Sequence, residues 1–119
     1  MSTLEVSNLN DGTTTVATTN LTNGSAKAYV RYIQVTPAVN QSFNVSSVTD
    51  SSTGNTTVNF TNGFDAIEYP CPANNSWTAG GLGVWTRMAT TSTCSVITNN
   101  NSGVATDHAY NLASFGDLA

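Results

Sequence analysis

One stretch of sequence decides the fold: Phe43-Asn-Val-Ser-Ser-Val-Thr-Asp-Ser-Ser-Thr-Gly-Asn-Thr-Thr-Val-Asn-Phe-Thr-Asn62. Apolar and polar residues alternate around Phe43 and Val45, and again around Val58 and Phe60, as in two half-buried strands. Between them, Asp50-Ser-Ser-Thr-Gly-Asn55 supplies turn residues, because Asp and Asn bond to nearby backbone and Gly accepts a positive φ. The stretch therefore predicts a β-hairpin.

The sequence predicts a bulge within this hairpin and a further strand upstream of it. Ser46-Ser47 places one extra residue between Val45 and Val48, which predicts a β-bulge. Upstream, residues 26–35 alternate so that Ala28, Val30 and Tyr32 would share one face of a strand. The opposite face is also largely apolar, so we expect a central strand covered on both sides or packed against neighbouring subunits, ending at Pro37.

Two segments resemble a small β domain that recurs in tail fibres and other virion-surface proteins of tailed bacteriophages. The first is Ala26-Lys-Ala-Tyr-Val30, and the second runs from Phe43 to Thr61. The resemblance covers residues 24–64, about a third of the chain. The family usually continues with an Asn-Tyr-x-Val strand, whereas this chain has Asp65-Ala-Ile-Glu-Tyr-Pro-Cys-Pro72. The resemblance implies a virion protein whose chains assemble as a β-rich trimer.

The composition favours an all-β fold. Ser, Thr and Asn make up about two fifths of the 119 residues, and charged residues only 8%. Thr favours strands, and Asn, Ser and Gly favour turns. The thin aliphatic content indicates a modest core for a lone monomer, a situation that oligomerisation relieves. We expect a small antiparallel sandwich or barrel-like domain with an extended N-terminal arm, intertwined as a trimer.

Charge and hydropathy narrow the partners. The net charge is −4, and the basic residues are Lys27, Arg31 and Arg87, too few for an extended phosphate-binding surface. No apolar stretch approaches the length of a membrane span, and the first residues do not resemble a secretory signal. We therefore expect no nucleic-acid partner, no membrane insertion, and assembly into a virion in the host cytoplasm.

Residues 1–23 predict a separate N-terminal arm, with the β domain over 24–119. Leu4, Val6 and Leu9 are the main apolar positions of the arm and precede a Thr-rich run. Extended segments of this kind add a strand to a partner or wrap around a shared axis, whereas the alternative is an unattached terminus. We favour an arm that docks on the virion or holds the trimer. Deleting Met1–Asn20 should then leave the β domain folded but prevent incorporation.

Short strands and turns fill the rest of the chain. Pro70–Asn75 predicts an irregular loop, and Gly80–Gly83 a flexible point before a strand at Val84–Ala89. Another strand is expected at Cys94–Thr98, a turn at Asn99–Gly103, and a closing strand at Ala109–Phe115.

No catalytic set emerges from the sequence, so we expect no enzyme and no cofactor. His108 follows Asp107 without a nucleophile motif, and we expect it on the surface. Asp65 and Glu68 form the only close acidic pair, and a small carbohydrate-active enzyme built on them is the least favoured hypothesis. Cys71 and Cys94 are expected to be buried free thiols, or a disulfide formed after release. With one distant His they make no metal site.

Aromatic and amide residues predict the contact region. Trp77 and Trp85 flank the Gly-rich stretch, with Tyr69, Asn74 and Asn75 nearby. Exposed aromatic rings beside amides are typical of sugar-binding surfaces. The more common role of such Trp residues is to anchor the core or a subunit interface. We predict that the loop from Pro70 to Gly83 contacts a host-surface glycan or another virion protein.

The sequence thus predicts a non-enzymatic trimeric tail fibre that attaches to the host surface. The alternative is a capsid decoration protein, either a cement protein or a head fibre, which would have the same composition.

Overall fold

The computed structural model describes residues 1–76 and 83–119, and these form mostly antiparallel β-structure. The N-terminal part contains β1 (Asn8–Asn10), β2 (Thr15–Ala17) and the short helix α1 (Thr18–Gly24). The remaining strands are β3 (Ala28–Ile33), β4 (Ala38–Phe43), β5 (Val45–Ser52), β6 (Asn55–Phe60), β7 (Ala73–Asn75), β8 (Gly83–Thr90), β9 (Thr93–Asn99) and β10 (Ala109–Ser114).

Two four-stranded sheets make up the body of the protein. The first sheet has the order β4-β3-β10-β7 and the second β5-β6-β9-β8. A buried hydrogen bond of 2.8 Å between the hydroxyls of Thr56 in the second sheet and Tyr110 in the first crosses the interior. The predicted all-β fold with antiparallel sheets is confirmed, and it takes the form of a sandwich.

The core forms where alternating residues of the two sheets face each other. Ala28, Val30 and Tyr32 of β3 are buried, as the sequence predicted, and pack in one cluster with Val58 and Val96 of the second sheet. Burial of such side chains contributes roughly 1.5–3 kcal/mol each. The alternating apolar side chains of the two sheets therefore form the shared core that holds the sheets together.

β3 is internal in its sheet, as predicted, because it pairs with both β4 and β10. Its second face is not covered within the chain, however. Tyr29 and Arg31 on that face are exposed. The first sheet thus leaves its outer face open.

The predicted hairpin is formed by β5 and β6. A register shift between Val45 and Ser47 confirms the bulge at Ser46-Ser47, and a second shift lies between Asp50 and Ser52. Gly54 adopts φ +69° in the turn, the conformation for which glycine was expected.

Phe43 corrects one boundary of the hairpin. The sequence placed it at the start of the first hairpin strand, facing the core, but it ends β4 in the other sheet and is 54% exposed. Asn44, at φ +53°, separates the two strands. Its side-chain NH₂ donates to the carbonyls of Lys27 and Asn62, and its oxygen accepts from Asn62 N–H. These bonds hold the crossover between sheets, so Phe43 points away from the core.

Several other boundaries also differ from the predictions. β4 occupies residues 38–43, where no separate strand was predicted, after a turn that contains Pro37. Part of the predicted loop Pro70–Asn75 forms β7, because it pairs with the edge of β10. β8, β9 and β10 confirm the strands predicted downstream, and Gly103 at φ +78° lies in the predicted turn.

Residues 8–24 fold locally rather than as one extended arm. β1 and β2 form a two-stranded antiparallel hairpin, and α1 follows directly. The turn is closed by Asp11, whose carboxylate accepts from the N–H groups of Thr13 and Thr14 at 2.9 and 2.8 Å. None of the residues of α1 is buried. This N-terminal unit therefore contributes no side chain to the sandwich core.

Candidate functional site

The residues predicted to contact a partner lie, where the structure describes them, on different structural elements. Trp77 and residues 80–82 lie outside the described residues. Trp85 is 55% exposed on β8 of the second sheet, opposite Ile97. Asn74 and Asn75 lie on β7 of the first sheet, where Asn74 is exposed and Asn75 half-buried. Trp85 and the asparagines are therefore on different sheets.

Tyr69 is corrected from a contact residue to a core residue. It is only 2% exposed and stacks on Phe64, with ring centroids 4.2 Å apart, while Phe60 packs edge-on against both rings. Its hydroxyl lies 2.7 Å from the carbonyl of Thr93 and 3.0 Å from that of Thr90, and donates to this pair. Burial raises the pKa of the Tyr69 phenol. Tyr69 thus anchors the β6–β7 connection to the second sheet.

A row of polar side chains instead crosses the outer face of the first sheet. In register, Gln41 of β4 lies opposite Arg31 of β3, Arg31 lies opposite Asn111 of β10, and Asn111 lies opposite Asn74 of β7. Directly paired residues on neighbouring strands have their side chains on the same face. These four residues, from four different strands, form the polar row.

A second row, which is apolar, runs beside the polar row. Phe43 pairs with Tyr29, and Tyr29 pairs with Ala113. Pro72 continues the row, since its carbonyl accepts a hydrogen bond of 3.1 Å from Ala113 N–H. The Tyr29 and Phe43 rings are stacked, with centroids 5.8 Å apart and an interplanar angle of 26°. We call these four residues the apolar row.

The two rows line a groove with a cavity volume of about 540 Å³. The two rows, apart from Phe43, supply seven of the lining residues, and the others are Val30, Ala73, Leu112 and Phe115. Within the described part of the chain, Arg31, Gln41 and Asn111 make no side-chain hydrogen bond or ion pair. The groove therefore offers a guanidinium and two primary amides that are free to bind a ligand.

The sequence contains one signal that points to this groove, the alternation of residues in β3. Tyr29 and Arg31 alternate with the buried residues of β3, so their outward direction could be predicted, but their neighbours could not. Asn111 is 80 positions from Arg31 in the chain, and only the β3–β10 register brings the two residues together. Among the described residues of the predicted contact region, Asn74 lines the groove, and so do Pro72 and Ala73 of the predicted contact loop.

The predicted chemistry of the remaining polar residues also changes. His108 is 5% exposed rather than on the surface, and its Nδ1 lies 3.3 Å from the carbonyl of Ala109. The neighbouring Asp107 carboxylate accepts from Gly54 N–H at 2.6 Å. Asp65 and Glu68 are exposed. In the described ranges, no group of three or more His, Cys, Asp or Glu side chains could hold a metal ion.

The two cysteines meet between the sheets. Both are buried free thiols, and their sulfur atoms are 2.8 Å apart. Ser114 Oγ lies 3.1 Å from Cys71 Sγ. The hydrogen bond with Cys71, together with burial, raises the pKa of the Cys94 thiol. The Cys94 thiol therefore stays protonated at neutral pH.

Comparisons with protein-family models, with curated proteins and with solved structures found no match to this chain. Among the described helices, none is long and apolar enough to cross a membrane. The function of this chain is therefore inferred from the geometry of the groove and from the sequence.

Proposed function

We propose that the chain is a non-enzymatic structural protein of a bacteriophage particle, a trimeric tail fibre component that contacts the host surface. The observation that carries this proposal is the outer face of the first sheet, where unpaired polar groups and exposed rings lie on a rigid β scaffold. Such faces mark binding surfaces. The resemblance of Ala26–Val30 and Phe43–Thr61 to virion-surface domains supports the particle context.

The N-terminal unit supports the proposals of virion docking and trimer assembly. Leu4, Val6 and Leu9 are exposed, and so is Leu21 of α1. Leu9, Val16 and Leu21 line a groove of about 400 Å³ between the hairpin and the helix. Exposed apolar side chains in this position do not stabilise a monomer, whereas contact with a partner chain would bury them. Residues 1–23 therefore serve as the attachment segment of the proposal.

The surroundings of the polar residues support a non-enzymatic role. His108 is sealed in the interior, and Asp107 is occupied with the backbone of Gly54. The side-chain groups of the groove that have no hydrogen-bond partner are amides and a guanidinium. These groups can form hydrogen bonds with a ligand, but they do not act as acids or bases near neutral pH.

Immunogold labelling of phage particles whose genome encodes this chain tests the location. Gold at the tail supports the proposal, while gold over the head surface favours the capsid decoration alternative. Unlabelled virions would exclude both.

Size-exclusion chromatography with light scattering tests the trimer. We expect the recombinant chain to elute at three times its mass of 12.4 kDa. A stable monomer at micromolar concentration would exclude the trimer, without bearing on the location in the virion.

A further inference from the structure

We propose that the groove on the outer face of the first sheet binds an acidic saccharide, a sugar that carries a carboxylate such as a uronic acid. This inference rests on the proposed function of host-surface contact and names the chemical class of the ligand. It is carried by Arg31, by the amides beside it, and by the apolar row that runs next to them.

Charge complementarity selects an acidic ligand. The chain has three basic residues against seven acidic ones, yet one of the three stands at the centre of the groove. Arg31 makes no ion pair with a carboxylate within the described part of the chain. A guanidinium binds a carboxylate through two parallel N–H···O bonds. A carboxylate from outside the protein is therefore the missing partner.

The remaining lining selects a sugar over other acids. Gln41 and Asn111 flank Arg31 on both sides and can each donate to and accept from hydroxyl groups. Tyr29, in the adjacent row, presents a ring face on which the C–H groups of a pyranose can pack. The polar row spans four strands, about 14 Å at the usual strand spacing. This length suits a short oligosaccharide.

Nucleic acid and a second copy of this chain fit the groove less well. A phosphate backbone needs several cations along its path, and Arg31 is the only cation in the groove lining. An interface between copies would have to bury the Arg31 guanidinium, and burying a charge is costly unless the partner chain pairs it.

The test uses oligogalacturonate and its methyl ester, in which each carboxylate is replaced by an uncharged and slightly larger ester group. In NMR titrations of the full chain, we expect oligogalacturonate to shift the amide signals of Arg31, Asn74 and Asn111. The ester should bind at least tenfold more weakly, and added salt should weaken binding of the acid. Equal affinity for both, or no binding of the acid, would overturn the proposal.

Two arginine variants provide the matched control. Arg31→Ala should lower the affinity for oligogalacturonate at least tenfold, and Arg31→Lys should restore only part of it because the paired N–H geometry is lost. Arg87 is exposed on the second sheet and likewise makes no side-chain hydrogen bond or ion pair in the described ranges, so Arg87→Ala should bind normally. Equal losses for both alanine variants would mean non-specific attraction. If Arg31→Ala instead changed the oligomeric state, the groove would be a contact between chains.

Binding of labelled chain to host cells separates this inference from the proposed function. If the chain binds cells and Arg31→Ala binds equally well, attachment stands and the acidic-saccharide site fails. If Arg31-dependent binding of oligogalacturonate is found but virions carry no label, the site stands and the virion role fails.

Discussion

Single residues set the path of the chain between the two sheets. Asn44 adopts a positive φ and ties the backbone at Lys27 and Asn62 together through its side chain. Asn tolerates this conformation better than most residues. The change of sheet at this residue is what turns Phe43 outward onto Tyr29.

Gly54 provides the first prediction at this scale. Its φ is +69°, and an added Cβ would lie 2.4 Å from the carbonyl oxygen of Thr98. Gly103 has a similar φ of +78°, with nothing within 4 Å of an added Cβ. We expect Gly103→Ala to lose about 1 kcal/mol of unfolding free energy from backbone strain, and Gly54→Ala about 3 kcal/mol because of the clash. Urea denaturation measures both, and equal losses would show that the clash is relieved without cost.

The cysteine pair provides the second prediction. Mild oxidation with diamide should transfer two electrons to the oxidant, release the two thiol protons and join Cys71 to Cys94. The new bond would connect the two sheets and raise the unfolding free energy by about 3 kcal/mol, or the melting temperature by roughly 10 °C.

Calorimetry and mass spectrometry after denaturing alkylation would follow this reaction. Cys71→Ser serves as the control, because it should show no shift on oxidation. Two alkylated thiols in the oxidised native chain would contradict the prediction.

At the scale of elements, strand position decides whether an alternating pattern buries one face or two. β3 is internal in its sheet and has apolar residues on both faces, but only the face that meets the second sheet is buried. The neighbouring strands form hydrogen bonds with the backbone N–H and C=O groups of β3, but they do not cover the side chains on its outer face. The groove is therefore a property of the whole first sheet rather than of a loop.

The β1–β2 hairpin leads to a pH-dependent prediction. Hydrogen bonds from the N–H groups of Thr14 and Thr13, and then from the Thr13 hydroxyl, lower the pKa of Asp11 from 3.8 to about 2. The folded hairpin thus favours the ionised form. Its stabilising contribution is complete above pH 3.8 and is lost as the pH falls towards about 2.

Amide chemical shifts of Thr13 and Thr14 would report this titration, with an inflection near pH 2. Asp11→Asn, which accepts hydrogen bonds but does not titrate, should flatten both curves. An inflection at 3.8 would mean that the turn is open in solution.

At the scale of the whole molecule, the sandwich and the N-terminal unit are nearly independent. The buried hydrophobic residues of the core lie between Ala28 and Leu112, and α1 buries none of its residues. Lys27 bonds to the carbonyl of Thr22 at the exposed boundary. The helix α1 ends at Gly24, one residue beyond the predicted N-terminal segment 1–23.

Deleting residues 1–24 should consequently leave the melting temperature of the sandwich almost unchanged. The deletion removes Leu4, Val6 and Leu9, so we expect loss of incorporation into virions and weaker trimers. Calorimetry, light scattering and immunoblots of purified virions measure these effects. Normal occupancy of the truncated chain on virions would contradict the docking role, and a large fall in melting temperature would contradict the independence of the two parts.

The sequence by itself determined the local features of this protein. The β5–β6 hairpin, the bulge at Ser46-Ser47, the turn at Gly54 and the closing strand β10 were all predictable. Each depends on residues a few positions apart, where alternation and turn chemistry act directly on the backbone.

Only the tertiary structure decided which faces are covered and which residues meet. Tyr69 and His108 were predicted on the surface and are buried. Tyr69 packs against Phe60 and Phe64, and the backbone N–H of His108 donates to the side-chain oxygen of the buried Gln34. The polar row joins Arg31 to Asn111 and Asn74 through strand pairings between distant segments. Such pairings follow from the packing of the whole core rather than from local propensity, because a strand pattern specifies a face but not its neighbours.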